Sequence, residues 1–159
     1  MKGKNLGFRM LLIIAVIILA GCSTESNKVA VDSQGDSAQA VVEKYFQYKN
    51  EKNKDKLLTT LTERYNAPNV IWGFENLESI KILNIEEEKS QKVRKLYFDN
   101  GRGRVNGIRD NNLKIYKVKY EVKYKKDGIG PQDSGTYDYW YYVIRKDENS
   151  SWLIDDFGV

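Results

Sequence analysis

Apolar residues recur at three- and four-residue spacing after position 35, and this period predicts two amphipathic helices. The first begins near Asp36 or Ser37, because either side chain can cap it. Its apolar stripe consists of Ala38, Val41, Val42, Tyr45 and Phe46. The second is expected from about 55 to 65, and its apolar face consists of Leu57, Leu58, Leu61 and Tyr65. Pro68 then prevents the helix from continuing.

Alternation with a period of two predicts strands in the second half of the chain. The clearest is 113–125, where tyrosines and valines point one way and charged residues the other, which is typical of one buried and one solvated face. Segment 137–144 is apolar or aromatic on both faces, which predicts a central strand covered on both sides for part of its length. Segment 80–85 alternates with a slip that indicates a bulge, and 152–157 is the last strand.

One segment, 89–112, remains ambiguous at this level. Residues 93–98 fit a short helix or a short strand, and 100–107 read as a loop. Helices followed by several antiparallel strands predict an α+β domain, in which the N-terminal helices pack on one face of a curved sheet.

The N-terminus has the three parts of an export signal: a basic start, an apolar core at 10–20, and small residues at its end. That end resembles a bacterial lipobox, formed by Leu19, Ala20, Gly21 and Cys22. We therefore expect a signal peptide at 1–21, a lipidated Cys22 with a flexible tether at 22–36, and one domain at 37–159. The alternative is an uncleaved anchor helix, but a membrane span needs about 20 apolar residues and this core is shorter.

Charge argues against a nucleic-acid partner. The chain has 26 Lys and Arg against 22 Asp and Glu, a net charge of +4. Three of the cations lie in the expected signal, which contains no acid, so the mature chain has 23 against 22. A nucleic-acid-binding protein needs a surplus of cations to replace the counterions of the phosphates. This surplus nearly disappears on cleavage.

The absence of histidine excludes several kinds of chemistry. It rules out Ser-His-Asp triads, Cys-His pairs and zinc sites built on histidine, and lipidation would consume the single cysteine. We expect no metal and no cofactor. The glycine-rich stretch 101–107 has neither the spacing of a dinucleotide loop nor the lysine of a P-loop. It reads as a flexible turn that exposes Arg102 and Arg104, or as a loop that contacts anions.

Aromatic residues on the predicted sheet allow two interpretations. They pack the core, because aromatic side chains favour strands, or they line a cleft that offers apolar faces with polar tips to a ligand. Asp155 and Asp156 follow each other on the last strand, so one of them faces inward if that strand is regular. The candidate pocket residues are Tyr120, Tyr139, Trp140, Tyr142, Trp152 and Asp155.

Four stretches carry a resemblance to a known family: 53–56 (NKDK), 73–78 (GFENLE), 120–128 (YEVKYKKDG) and 152–158 (WLIDDFG). Together with the order of the elements, they resemble the DUF4829 small lipoproteins of Firmicutes over about 37–159. The resemblance implies an NTF2-like, cystatin-like fold: helices packed on a strongly curved antiparallel sheet that forms a cone-shaped hollow. It implies fold and location more than chemistry.

These observations favour a binding module over an enzyme. We expect a protein held at the extracytoplasmic face of the cell membrane by diacylglycerol on Cys22. Its partner would be an envelope protein, a peptide or a small amphipathic ligand. The alternative is an NTF2-like enzyme in which a buried acid, such as Asp138 or Asp155, works beside a tyrosine. A purely structural role is the third possibility.

Overall fold

The computed structural model describes residues 36–159. Four helices and four strands form in this range, together with two short 3-10 turns at Glu63–Asn66 and Asp110–Asn112. In chain order the elements are α1 (Ala38–Asn50), α2 (Lys54–Leu58), β1 (Leu77–Glu87), α3 (Gln91–Asp99), α4 (Gly103–Asn106), β2 (Leu113–Tyr124), β3 (Gly135–Ile144) and β4 (Leu153–Gly158). The predicted signal peptide, with Cys22 and its three preceding residues, lies outside the described residues, as does nearly all of the predicted tether.

The first helix follows its sequence pattern. Ser37 is the N-cap, and its Oγ accepts a hydrogen bond from the Ala40 backbone N–H at 3.2 Å. All five residues of the predicted apolar stripe are buried. They pack on one face of the sheet and, with side chains of all four strands, form the main core. Burial of this stripe, rather than intrinsic helix propensity, holds α1 in place.

The second predicted helix is much shorter than expected, since α2 ends at Leu58. The hydroxyls of Thr59 and Thr60 donate to backbone carbonyls three residues back, at 2.7 and 2.6 Å. Such bonds compete with the helical ladder. Beyond them the Thr62 N–H donates to the carbonyl of Ile154 on β4 at 3.0 Å, so the chain continues as an extended bridge along the sheet edge.

The sheet has the order β1-β2-β3-β4, and every neighbouring pair is antiparallel. Strand β2 alternates between buried and exposed positions as predicted. Strand β3 is central and covered on both faces near its end, where Val143 lies in the main core and Ile144 in a second core. The slip predicted in the first strand is a shift in register between Ile82 and Asn84.

The ambiguous segment forms helices on the other face of the sheet. Helix α3 places Tyr97 against Leu113, Ile115 and Ile144, and these four residues form the second core. Part of the predicted loop 100–107 is the short helix α4. The second face is covered only at this end, and further along β2 it carries the exposed lysines Lys117 and Lys119.

The α+β class and the position of two helices before the sheet are confirmed, but the predicted strong curvature is wrong: the sheet is not strongly curled. The register explains this result. Strands β2 and β3 pair continuously from Leu113↔Ile144 to Val122↔Gly135, without a shift. Bulges are what bend a sheet, and here they occur only in the pairs that involve the outer strands β1 and β4. Within residues 36–159 no helix is long and apolar enough to cross a membrane.

Candidate functional site

The tyrosine-rich face of the sheet is filled by the first helix. The ring centroid of Phe46 lies 5.2 Å from that of Tyr120 and 5.4 Å from that of Tyr141. Tyr45 lies 5.8 Å from Tyr141 on the same face. At these separations the aromatic rings are in contact with one another. The middle of this face is therefore packed core.

The six candidate pocket residues do not lie together. Tyr120, Tyr139 and Trp152 pack against the main core, whereas Trp140 and Tyr142 pack against the second core on the opposite face. Neighbouring residues of a strand point to opposite faces, so Tyr139 and Trp140 cannot line one cavity. Asp155 adjoins the second core, because its carboxylate accepts a hydrogen bond from Tyr97. The described structure offers two places with site-like chemistry, one around Asp155 and one beside Trp152.

A bulge places the Asp155 carboxylate inside the protein. Tyr142 pairs with Asp156 and Val143 with Ile154, so Asp155 has no partner residue on β3. The strand is thus irregular where the sequence argument assumed regularity. Asp155 is only 2% exposed, while Asp156 reaches the surface and pairs with Arg64 at 2.8 Å. Bulges commonly redirect a side chain in this way.

Three neutral side chains donate hydrogen bonds to Asp155. The Tyr97 hydroxyl donates to Oδ2 at 2.7 Å, Asn106 Nδ2 donates to the same oxygen at 3.1 Å, and the Thr62 hydroxyl donates to Oδ1 at 3.3 Å. Arg102 Nε lies 3.9 Å from Oδ2 and supplies a nearby positive charge. Burial, together with the neighbouring carboxylate, raises the pKa of Tyr97, so its hydroxyl remains a proton donor.

This Asp155 cluster ties distant parts of the chain to β4. Tyr97 comes from α3, Asn106 from α4, and Thr62 from the segment after α2. No sequence pattern pointed to Tyr97 or Asn106, because both lie in the ambiguous segment and their partner is far away in the chain. Of the two arginines in the glycine-rich stretch 101–107, Arg102 is partly buried beside Asp155, and Arg104 is exposed. Asp138, the other acid considered, is exposed on β3.

A recess of about 230 Å³ opens beside Trp152, between the start of α1, the end of α2 and the start of β4. Helix α1 contributes Val41, Lys44 and Tyr48, which share one face because they are three and four residues apart. The recess is lined by Asp36, Val41, Lys44, Tyr48, Thr59, Thr60, Ser151 and Trp152. The recess therefore combines the aromatic rings of Tyr48 and Trp152 with several hydroxyl groups and the Lys44–Asp36 ion pair.

Cations surround this Trp152 recess. Lys44 Nζ lies 2.5 Å from Asp36 Oδ2, and that hydrogen bond raises the pKa of Lys44. Lys56 Nζ lies 5.6 Å from the ring centroid of Tyr48, and the guanidinium of Arg145 lies 4.6 Å from that of Trp152. Both distances are within the range of cation–π contacts. The aromatic walls are thereby held in place by neighbouring charges.

Within residues 36–159, no group of three His, Cys, Asp or Glu residues is placed to hold a metal ion. The acidic run 86–88 is partly neutralised, since Lys114 Nζ lies 2.6 Å from Glu87 Oε1. That ion pair lowers the pKa of Glu87.

Comparisons with known proteins bear on the family alone. Searches of curated proteins and of solved structures found no match. A family model described as "Domain of unknown function (DUF4829)" matches residues 39–158, which include every helix and strand described above except the first residue of α1. The family resemblance seen in the four sequence stretches is therefore confirmed. The chain belongs to the DUF4829 family.

Proposed function

We propose that this protein is a lipoprotein anchored to the extracytoplasmic face of the membrane of a Gram-positive bacterium, a member of the Firmicutes. The sequence ending in Cys22 supports the anchor, because small residues precede the only cysteine at the end of an apolar core. A diacylglycerol thioether supplies two acyl chains, which are enough for stable anchoring. The folded domain would then act at the membrane surface.

Replacing the cysteine tests the anchor directly. Cys22→Ala is expected to abolish incorporation of labelled palmitate and to leave a larger precursor on a gel. Ser23→Ala, one residue further on, is the matched control and should be processed and lipidated normally. Unchanged mobility and unchanged labelling of Cys22→Ala would refute the anchor.

We infer that the domain is a non-enzymatic binding module, and the observation that carries this inference is the Trp152 recess. Pockets for drug-sized ligands are commonly about 300–1,000 Å³, so a recess of about 230 Å³ suits a single side chain or a small amphipathic molecule. Tyr48 and Trp152 offer apolar surface, and the hydroxyls and the Lys44–Asp36 pair offer directional contacts. This combination is typical of binding sites.

The buried acid supports binding over catalysis. Both oxygens of Asp155 already accept hydrogen bonds from within the protein, and Tyr97 is among the donors. Such a carboxylate has little capacity left for a substrate proton. The enzyme alternative gains one observation, because Asp155 and Tyr97 are the acid and tyrosine pair it requires. In that alternative Asp155→Asn would abolish turnover while the fold remained intact.

Site-specific crosslinking tests the binding module. A photoreactive residue at Ser151, which is exposed and lines the recess, should give a defined adduct in intact cells. The same residue at Ile71, which is 89% exposed and outside the recess, is the control. Trp152→Ala should remove the Ser151 adduct. Equal adducts from both positions, or none from Ser151, would contradict the proposal.

We also propose that the domain is a distant NTF2-like relative with a flatter sheet. The support is architectural: α1 and α2 precede the sheet, and α1 packs across its face against β1, β3 and β4. An experimental structure of the family tests this relation. Superposition of α1 and all four strands on NTF2-like domains would support it, and a different strand order in the closest matches would refute it.

A further inference from the structure

The loop that leads into β1 is apolar, although it lies at the surface. Its residues 70–74 are Val, Ile, Trp, Gly and Phe, and none of the five is buried. Ile71 is 89% exposed. Connecting loops are normally polar, and consecutive apolar residues at a surface are unfavourable unless they make a functional contact. The 70–74 loop therefore points to a contact outside the domain.

The 70–74 loop is held in a defined shape. The rings of Trp72 and Phe74 stack with centroids 6.1 Å apart, and both rings pack against the main core. The Gly73 carbonyl accepts a hydrogen bond from the Leu77 backbone N–H at 3.1 Å, which closes the turn into β1. Because core packing and backbone bonds fix its neighbours, Ile71 is exposed as part of the folded structure.

The turn between β2 and β3, residues 125–134, adjoins this loop at the same end of the sheet. Asn76 joins the two, because its carbonyl accepts from the Lys125 N–H at 2.8 Å and its side chain bonds the backbone N–H and carbonyl of Lys126. The turn carries a second exposed isoleucine, Ile129, which is 63% exposed. The 70–74 loop and the β2–β3 turn together form what we call the apolar end of the domain.

We propose that the apolar end docks on the lipid bilayer, with Ile71 and Ile129 inserted at the boundary between headgroups and acyl chains. The proposal rests on the membrane anchor proposed above and assigns a second, separate contact. Apolar side chains of peripheral proteins insert at this depth, and Trp rings are enriched there. A few side chains on two loops fall short of the roughly 800 Å² per partner that a stable protein interface buries. The observations therefore favour a bilayer over a second copy or another protein.

The length of chain before the domain permits this orientation. Cys22 precedes Asp36 by 14 residues, which span at most about 50 Å. The Trp152 recess lies at the opposite end of the sheet, because β4 begins with Leu153 paired to Ile144, the last residue of β3. Strand β3 separates the two ends by about 30 Å, so the anchor can reach the start of α1. Docking would direct the recess away from the bilayer.

The charges at the apolar end have both signs. Exposed Lys125 and Lys126 are followed by Asp127, and Glu75 follows the 70–74 loop. Attraction to a negatively charged surface is therefore small, and insertion of the two isoleucines carries the attachment. A weak affinity is sufficient, since an anchored chain experiences the bilayer at a high effective concentration.

Fluorescence quenching in vesicles tests the docking. The full chain is reconstituted into phosphatidylcholine vesicles with brominated acyl chains, and an environment-sensitive fluorescent residue replaces Ile71, Ile129 or Val105 in turn. Val105 is the matched control, because it is 68% exposed but belongs to α4 on the other face of the sheet. Quenching is expected at positions 71 and 129 and not at 105, and added salt should leave it unchanged.

Substitutions measure the contribution of the isoleucine. Ile71→Ser should lower the ratio of docked to undocked chains by about ten-fold, read from the probe at 129, because one apolar side chain no longer leaves water. Ile71→Leu should retain docking, and Val105→Ser should not affect it. Circular dichroism checks that each variant is folded.

The outcomes separate docking from the anchor. Absence of quenching at position 71, equal quenching at all three positions, or loss of quenching in salt would each overturn the proposal. Palmitate labelling of Cys22 tests the anchor separately, since the vesicles hold the full chain through its acyl chains or through the apolar core at 10–20. In intact cells a photoreactive residue at Ile71 should label lipid, and a protein adduct there would overturn the docking.

Discussion

Tyr97→Phe should destabilise the protein measurably, although it removes only one oxygen atom. The lost hydroxyl donates to the Asp155 carboxylate at 2.7 Å, and Asp155 is 2% exposed. A hydrogen bond to a charged group contributes about 1.5–3 kcal/mol. The carboxylate keeps Asn106 and Thr62 as donors, so the loss stays below the roughly 3–5 kcal/mol of a buried charge left unpaired. We expect the free energy of unfolding to fall by about 2 kcal/mol.

The matched control is Tyr142→Phe. Tyr142 stacks on Tyr97 with ring centroids 4.9 Å apart, and its hydroxyl makes no hydrogen bond within the described residues. Removing this hydroxyl should change stability by less than about 0.5 kcal/mol. Urea denaturation of the full chain, followed by circular dichroism, gives both values if the slopes agree. Equal effects of the two variants would refute the view that Asp155 ties α3 to the sheet.

Three further predictions concern charge, pH and backbone. Lys49→Met should raise the urea midpoint, because burial disfavours the Lys49 ammonium and no acid within residues 36–159 forms an ion pair with it. Lys44→Met should leave the midpoint nearly unchanged, since the Lys44–Asp36 pair is partly exposed; a lower midpoint for Lys49→Met would contradict this. Burial raises the pKa of Tyr45 and Tyr141 in the folded state, so stability should be full below pH ~10 and fall as pH rises above it; midpoints measured across that range check the sign. Gly107→Ala should cost about 1–2 kcal/mol in thermal or urea unfolding, because φ is +70° there and no atom lies near enough to clash.

The hydrophobic periodicity of the sequence correctly predicted helix α1 and strand β2, whose structure depends mainly on local pattern. The stripe from Ala38 to Phe46 has the period of a helix and one buried face, and the structure follows it. Strand β2 is equally regular. The segment that became α3 was too short for its period to separate helix from strand. Its conformation depends on the second core, where Tyr97 meets residues of β2 and β3.

The environment of Asp155 was beyond sequence reasoning for a different reason. A single extra residue in β4 changes which side chain faces inward, and nothing in the order Ile154-Asp155-Asp156 marks it. Its donors come from positions 62, 97 and 106, so the cluster exists only after folding. Likewise, tyrosines at 120 and 139 looked like a pocket because a sequence does not show that α1 fills the face between them.

The central claim, a membrane-anchored module that binds through the Trp152 recess, is tested most directly by one measurement. Membranes from cells that carry a photoreactive residue at Ser151 are irradiated, and adducts are identified by mass spectrometry with and without Trp152→Ala. The account predicts a defined adduct in the membrane fraction that disappears when Trp152 is replaced. An adduct that persists in Trp152→Ala, or no adduct at all from a folded and membrane-bound chain, would contradict it.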